Sequence, residues 1–424
     1  MPDLVAVLSE PNRRRLIELL SGGEQSVNQL AAQFGVTRSA VSQHLGVLSS
    51  AGLVQARQSG RFRYYRLDPD GMAALRNALE VFWNHELEQL ANARPTIEGE
   101  RSMTAEKSVL VPLDADATFA LLTEPERLRR WQAVTARVEL RAGGEYRWTI
   151  VPGHTASGTI TEVEPGKRLV FTFGWEDSDS TPAPGGSTVT ITLEPAEGGT
   201  NVRLVHTGLT PEEAVGHLEG WTHYAERLAR AAADGDAGPD EWGTSEPTDP
   251  LTAAEASLAV CQIVLRHLGP DDGSAPTPCS NYTVDDLVEH LLGSIRSLGG
   301  AAGATVPDSG GSAESRVADA AQVALEAWRK RGLDGTVRLG PSELPATLAT
   351  DILLIELLVH AWDFARATGQ SIRVDDALSG YVLEHARSVI APHMRDGDRF
   401  GAERETGPDA DNLARLAAFT GRDI

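Results

Sequence analysis

The stretch ILLIELLVHAWD, residues 352–363, constrains this chain more than any other. Ile352 to Val359 is apolar on every side apart from Glu356, and Glu356, His360 and Asp363 fall at i, i+4 and i+7, one stripe of a helix. A helix that is apolar all round is surrounded by protein. An unpaired carboxylate in such a place costs several kcal/mol or takes up a proton, which leaves a partner cation, a structural hydrogen bond or a metal ion. The chain must therefore fold around this helix in a way that satisfies its ionisable groups.

A second amphipathic stretch, TVDDLVEHLLGSIRSL, carries His290 at the margin of an apolar face made by Leu287, Leu291 and Leu298. Brought together in a helical bundle, His290, Glu356 and His360 supply two imidazoles and one carboxylate. That set suits zinc or a similar divalent metal, with a fourth position open to water or a thiol. Glu-x-x-x-His also occurs by chance, and a histidine at an apolar border is commonly a satisfied structural group, so the residues alone leave the alternatives open. Asp363 reads either as an acceptor behind a ligand imidazole or as a helix-end acid. "TPCSNYTVDDLVEHLLG" and "ELLVHAWDFARATGQ" together resemble the DinB-like metal-binding family that includes mycothiol-dependent maleylpyruvate isomerase, from about residue 251 onward. The resemblance implies a four-helix bundle in which His290, Glu356 and His360 ligate the metal.

A chain of 424 residues exceeds one ordinary core. RPTIEGERSMT (94–104) and AADGDAGPDEWGTSEPTD (232–249) read as linkers. They divide a multidomain α+β chain into segments 1–95, 104–231 and 250–424. The formal charge of −22 argues against a surface that coats nucleic acid or membrane throughout, yet residues 13–66 hold eight arginines against two acids.

That basic segment has the order of a winged helix-turn-helix. Ser26 and Gln29 form a capping box before VNQLAAQF. In TRSAVSQHLGVLSSAG, Val41, Leu45 and Leu48 make the buried stripe while Arg38, Ser39, Ser42 and Gln43 face outward. LVQARQSGRFRYYRL then reads as a hairpin around Ser59-Gly60 bearing Arg57, Arg61 and Arg63. A helix over 70–92 offers an apolar face for pairing with another copy. "SVNQLAAQFGVTRSAVSQHLGVLSSAGLV" and the arginine-rich wing resemble the ArsR-type repressors, which implies a homodimer that binds double-stranded operator DNA and is released by an inducer. Arg38, Arg57, Arg61 and Arg63 are expected to meet phosphates, and Ser39, Ser42, Gln43 and His44 to meet base edges. VNQLAAQF lacks the cysteines of metal-sensing members, and His85 and Glu88 read as surface neighbours.

The middle segment alternates strands with the turns EPGK and EGGT and closes in a helix announced by Thr210-Pro211-Glu212-Glu213. "TEPERLRRW", "GTITEVEPGKRLVFTF", "GGTNVRLVHTGL" and "GWTHYAERL" resemble the START-like (SRPBCC) helix-grip superfamily, in the branch related to the activator of a heat-shock chaperone ATPase. An antiparallel cup closed by a long helix follows, with Trp131, Trp148, Trp175, Trp221 and Tyr224 as candidates to line a cavity for a small molecule.

Together these features describe a DNA-binding regulator with fused ligand-binding and metal-binding domains. The competing expectation is a metal-dependent thiol transferase or isomerase that uses a low-molecular-weight thiol. MPDLVAVLSEPNRRR is the reverse of a secretory signal and no apolar run spans a bilayer, so the expected location is the cytoplasm, without membrane contact. There Cys261 and Cys279 remain thiols.

Overall fold

The computed structural model describes residues 11–33, 38–59, 62–69, 71–72, 103–177, 180–243, 247–279, 282–395 and 400–424, in two compact units, Met1–Glu100 and Arg101–Ile424. Nearly all of the expected helix over 70–92, His85 and Glu88 included, and nearly all of the first linker lie outside the described residues.

In the first unit, helix α1 (Pro11–Ser21) precedes the two-residue strand β1 (Gln25–Ser26), α2 (Val27–Ala32) and α3 (Arg38–Ser50). The capping box forms as the sequence predicts: the Ser26 N–H donates to Gln29 Oε1 at 2.9 Å, and the Ser26 hydroxyl accepts from the Gln29 N–H. Leu16, Leu20 and Leu30 meet Val41, Leu45 and Leu48 of α3 in one buried core. Gly52, at φ +76°, takes the left-handed turn that ends α3. Strands β2 (Val54–Ser59) and β3 (Phe62–Leu67) then pair antiparallel from Val54↔Leu67 to Ser59↔Phe62, with β1 on the outer edge of β3. This is a winged helix-turn-helix.

The second unit opens with β4 (Met103–Val111), the short helices α4 (Ala115–Thr123) and α5 (Pro125–Leu128), and strands β5 (Thr135–Val138), β6 (Glu145–Val151), β7 (His154–Glu164), β8 (Arg168–Trp175), β9 (Ser187–Ala196) and β10 (Gly199–Leu209). They form a seven-stranded antiparallel sheet in the order β4-β10-β9-β8-β7-β6-β5. Helix α6 (Pro211–Asp234) packs against the sheet at β4 and β10, started by Thr210 with Pro211 at N1 and Glu213 closing a capping box.

The helical part follows as α7 (Pro250–Arg266), α8 (Val284–Ala301), α9 (Ala313–Arg331), the hairpin β11 (Thr336–Leu339) and β12 (Ser342–Pro345), α10 (Ala346–Thr368), α11 (Asp376–Val389) and α12 (Asn412–Phe419). Helices α7, α10, α8 and α9 pack as a closed ring of four, each against the next, and α11 and α12 are additions to that bundle. Of α10, Leu353, Leu354, Leu357, Leu358, Ala361 and Phe364 are all fully buried. Among the described residues no helix is long and apolar enough to cross a membrane.

Cup and bundle share one compact unit, and buried polar groups join them. Arg129, just after α5, donates to Glu314 of α9 through Nε (2.8 Å) and Nη2 (3.2 Å), with both side chains 1% exposed. Glu255 of α7 accepts from the Gly153 N–H of the β6–β7 turn at 2.8 Å and from Arg329. Gln262 donates to the Val134 carbonyl. The second expected linker is also built into the fold. Arg227 of α6 donates to the carbonyls of Trp131, Gly238 and Pro239, while Arg266 of α7 binds Asp236 at 2.7 Å. Its acidic, Gly- and Pro-bearing composition reads as a spacer, but the same residues present the acceptors that these arginines require.

Removing one partner of a buried ion pair strands the other. Arg129→Met is therefore expected to lower the unfolding free energy of the full chain by about 3–5 kcal/mol in urea titration. A loss below about 1 kcal/mol, the range of an exposed pair, would show that this contact does not hold cup and bundle together.

Candidate functional site

Helix α10 delivers Glu356 and His360 one turn apart, and α8 delivers His290 from the facing side of the ring. His290 Nε2 lies 3.3 Å and His360 Nε2 3.5 Å from the same oxygen, Glu356 Oε2, and the three donor atoms fall within 4.8 Å of one another. That oxygen is buried and has no well-formed hydrogen bond. Burial opposes ionisation of Glu356, but the two imidazoles facing it outweigh burial and hold its carboxyl well below the ordinary range.

Behind this trio stands a second set of charges. Asp363, fully buried, meets His360 Nδ1 at 2.9 Å and receives Arg422 through Nε (3.1 Å) and Nη2 (2.7 Å). Arg422 is itself braced by the Thr420 carbonyl. Asp363 is thus the acceptor behind an imidazole rather than a helix-end acid. With Nδ1–H donated to Asp363, the Nε2 lone pair of neutral His360 is directed at the trio, the arrangement that orients a metal-ligating histidine. Burial works against protonation of this imidazole, yet Asp363 and Glu356 more than offset it and raise its pKa to about 9, so a divalent ion at Nε2 would take the place of a proton. The donor set of two nitrogens and one oxygen fits a divalent ion with a vacant fourth position. The Tyr282 ring lies beside His290, tilted by 30° with centroids 5.0 Å apart, and its hydroxyl is 3.4 Å from Nδ1. Half-buried Cys279 feels the charges of Arg422, Asp363 and Glu356, and burial is the main cause that pushes its thiol pKa up.

The cup holds a cavity of about 440 Å³ between sheet and α6. Of the expected aromatics, Trp175, Trp221 and Tyr224 line it. Trp131 and Trp148 do not: they border a separate void of about 30 Å³, room for little more than a water. The Trp131 indole N–H is tied to the Leu121 carbonyl, so this ring serves as core. The sequence reading missed Phe173, His217 and Trp242, the last carried by the supposed linker and stacked on His223 at 4.2 Å. It also missed His206, fully buried in the wall. The Trp221 Nε1–H donates to His206 Nδ1 at 3.1 Å, which leaves the ring proton on Nε2, 2.7 Å from Ser187 Oγ, whose hydroxyl donates to the Phe173 carbonyl. Only neutral His206 fits this chain of bonds. Burial, helped by nearby His217, lowers its pKa to about 3.

In the winged unit, Ser42 and Gln43 of α3 are exposed and His44 is half-buried. The side chains of Arg38 and Ser39, and Arg61 altogether, lie outside the described residues. Arg63 is exposed and sits 5.5 Å over the Tyr65 ring. Arg57 is not the free cation the sequence suggests: Glu24 binds it through two oxygens at 2.6 and 3.1 Å.

A family model described as bacterial regulatory protein, arsR family, matches residues 10–56. One described as activator of Hsp90 ATPase homolog 1-like protein matches residues 112–233. A third, mycothiol maleylpyruvate isomerase N-terminal domain, matches residues 262–365, a span that includes His290, Glu356 and His360 but not Arg422. An HTH-type transcriptional regulator of Mycobacterium tuberculosis is 48% identical over 80 residues, 19% of this chain and 75% of the relative. An uncharacterized protein of the same organism is 31% identical over 182 residues, 42% of this chain and 99% of the relative. Among solved structures, an AHSA1-like protein from Rhizobium etli is 39% identical, covers 34% of this chain and 92% of its own, and superposes with a TM-score of 0.30.

Two outcomes follow from the buried groups. Arg422→Ala leaves Asp363 without its cation and is expected to cost about 3–5 kcal/mol of stability in chemical denaturation. For His206 the folded pKa is depressed, so above the unfolded value near 6.5 it has no effect. Below that, the unfolded chain takes up a proton that the fold refuses, and its contribution falls by about 1.4 kcal/mol per pH unit down to about 3. Urea titrations from pH 7 to 4 should show that part of the slope absent in His206→Asn; equal slopes would mean the imidazole titrates normally.

Proposed function

We propose a function from one premise: the chain belongs to the arsR family of bacterial regulatory proteins, and joined to that module are an Hsp90-ATPase-activator-like cup and a bundle like the N-terminal domain of mycothiol maleylpyruvate isomerase. The protein is a cytoplasmic, homodimeric transcriptional regulator that binds operator DNA and takes a small molecule in its cup. The observation that carries this reading is an exposed Ser42–Gln43 face on α3, beside a basic hairpin, in the same chain as a 440 Å³ aromatic cavity.

In this reading the amide of Gln43 meets a base edge, adenine being the base it bridges with two hydrogen bonds. Arg63 and its neighbours neutralise phosphates, which makes affinity fall steeply as salt rises. Arg57 contributes less than its charge suggests, because it must leave Glu24 to reach a phosphate. Gel shift of a labelled fragment upstream of the protein's own operon is expected to show specific retention over random DNA at moderate salt. Gln43→Ala should weaken it by about 5–150-fold, the worth of one bidentate base contact. Absence of specific retention by the wild type would remove the reading.

The bundle is proposed to hold one divalent ion, zinc by its donor chemistry, through His290, Glu356 and His360. When bound, such an ion lowers the pKa of a water or thiol at its open position. Asp363 and Arg422 hold His360 in the tautomer that presents Nε2, while partly exposed His290 and Glu356 leave the trio open to solvent on one side. That open position favours a second reading, in which the bundle transfers a low-molecular-weight thiol. Elemental analysis is expected to give one zinc per chain in the wild type and none in His360→Ala; after that, release of operator DNA by thiol separates a sensor from a catalyst. Metal-free wild type after growth in zinc-supplemented medium would eliminate both metal-based readings.

A further inference from the structure

The cavity of the cup has a chemical bias that its size does not require. Its walls are rings. Phe173 stands edge-on to Trp175 (5.4 Å, 88°) and to His217 (5.5 Å, 90°), His217 lies nearly parallel to Trp175 (20°), and Trp221 and Trp242 add two more faces. Aromatic faces carry negative quadrupoles and attract a cation held over them.

The charged lining points the same way. Glu212 and Glu213, in the first turn of α6, border the cavity, and no lysine or arginine is among its described lining residues. The positive end of α6 does not open the site to an anion, because its own capping box spends it: Glu213 accepts the Thr210 N–H at 2.7 Å, and Thr210 Oγ1 accepts the Glu213 N–H. That hydrogen bond also keeps the Glu213 carboxyl ionised. Of the lining imidazoles, His217 is kept neutral by burial, and His154 faces a carboxylate of its own, Asp177, at 3.5 Å. A ligand carboxylate would meet two like charges and no lysine or arginine among the described lining residues, whereas a delocalised cation would meet carboxylates at one end and ring faces around it.

We propose that this cavity binds planar aromatic cations and disfavours aromatic carboxylates. The inference rests on reading the cup as a ligand site, and it adds the ligand's class. Three bicyclic probes of nearly equal size separate the two ideas: N-methylquinolinium, 2-methylquinoline at pH 8, and 2-naphthoate, each titrated into the full chain by calorimetry. The cation is expected to bind about tenfold more tightly than the neutral ring, and naphthoate most weakly. Glu212→Gln, an exposed residue with no cap to lose, should shrink the cation's advantage about two- to threefold and leave the neutral probe unchanged. Glu213→Gln, which preserves the cap's hydrogen-bonding shape, should act in the same direction. A neutral or anionic probe that binds as tightly as the cation, or an advantage unmoved in both variants, overturns the charge preference and leaves the cup as a ligand site. Failure of all three probes to bind overturns the cup reading and this proposal together.

Discussion

A charge taken out of water must be met by another charge or by a full set of hydrogen bonds, and Asp363 is where this requirement shapes the fold most. Its side chain is wholly enclosed, with His360 on one oxygen and the two-pronged guanidinium of Arg422 across both. To supply that guanidinium the chain must run past α10, through α11 and α12, and return to the middle of the bundle within three residues of Ile424. The added helices are therefore part of what makes the central helix tolerable. The same contacts fix the ring of His360, so the stability of the bundle and the aim of Nε2 toward Glu356 and His290 have one cause.

The rule operates again where cup meets bundle. Glu314 and Glu255 are nearly inaccessible, and each is answered across the boundary, Glu314 by Arg129 and Glu255 by the Gly153 N–H, while Arg329 pairs with Glu255 from within the bundle. A buried pair holds one register because a displaced partner leaves an uncompensated charge. Cup and bundle are in this way one mechanical body.

Much of this was legible in the residues. The Ser26–Gln29 and Thr210–Glu213 boxes, the alternation that builds the sheet, and the Glu356–His360 stripe rest on local spacing, which the folded chain preserves, whereas the meeting of His290 with that stripe was implied only by the family resemblance. The cavity was legible only in part. Trp131 borders only a small void and serves as core while Trp175 lines the cavity, a difference set by which elements pack against each ring and not by residue type. Arg57 has the same limit: nothing near it in sequence announces Glu24, 33 positions earlier.

The sequence by itself determined the kinds of element, their caps and turns, the three modules, and the residue types able to hold a metal ion or meet DNA, because these depend on neighbours within a turn or a strand. Tertiary structure decided which groups face one another: that Arg422 holds Asp363, that a supposed spacer carries Trp242 to the cavity, and that two modules share the buried Arg129–Glu314 pair. Such pairings depend on distances closed by the whole chain, between residues 59 positions apart in one case and 185 in another, and no local pattern encodes them.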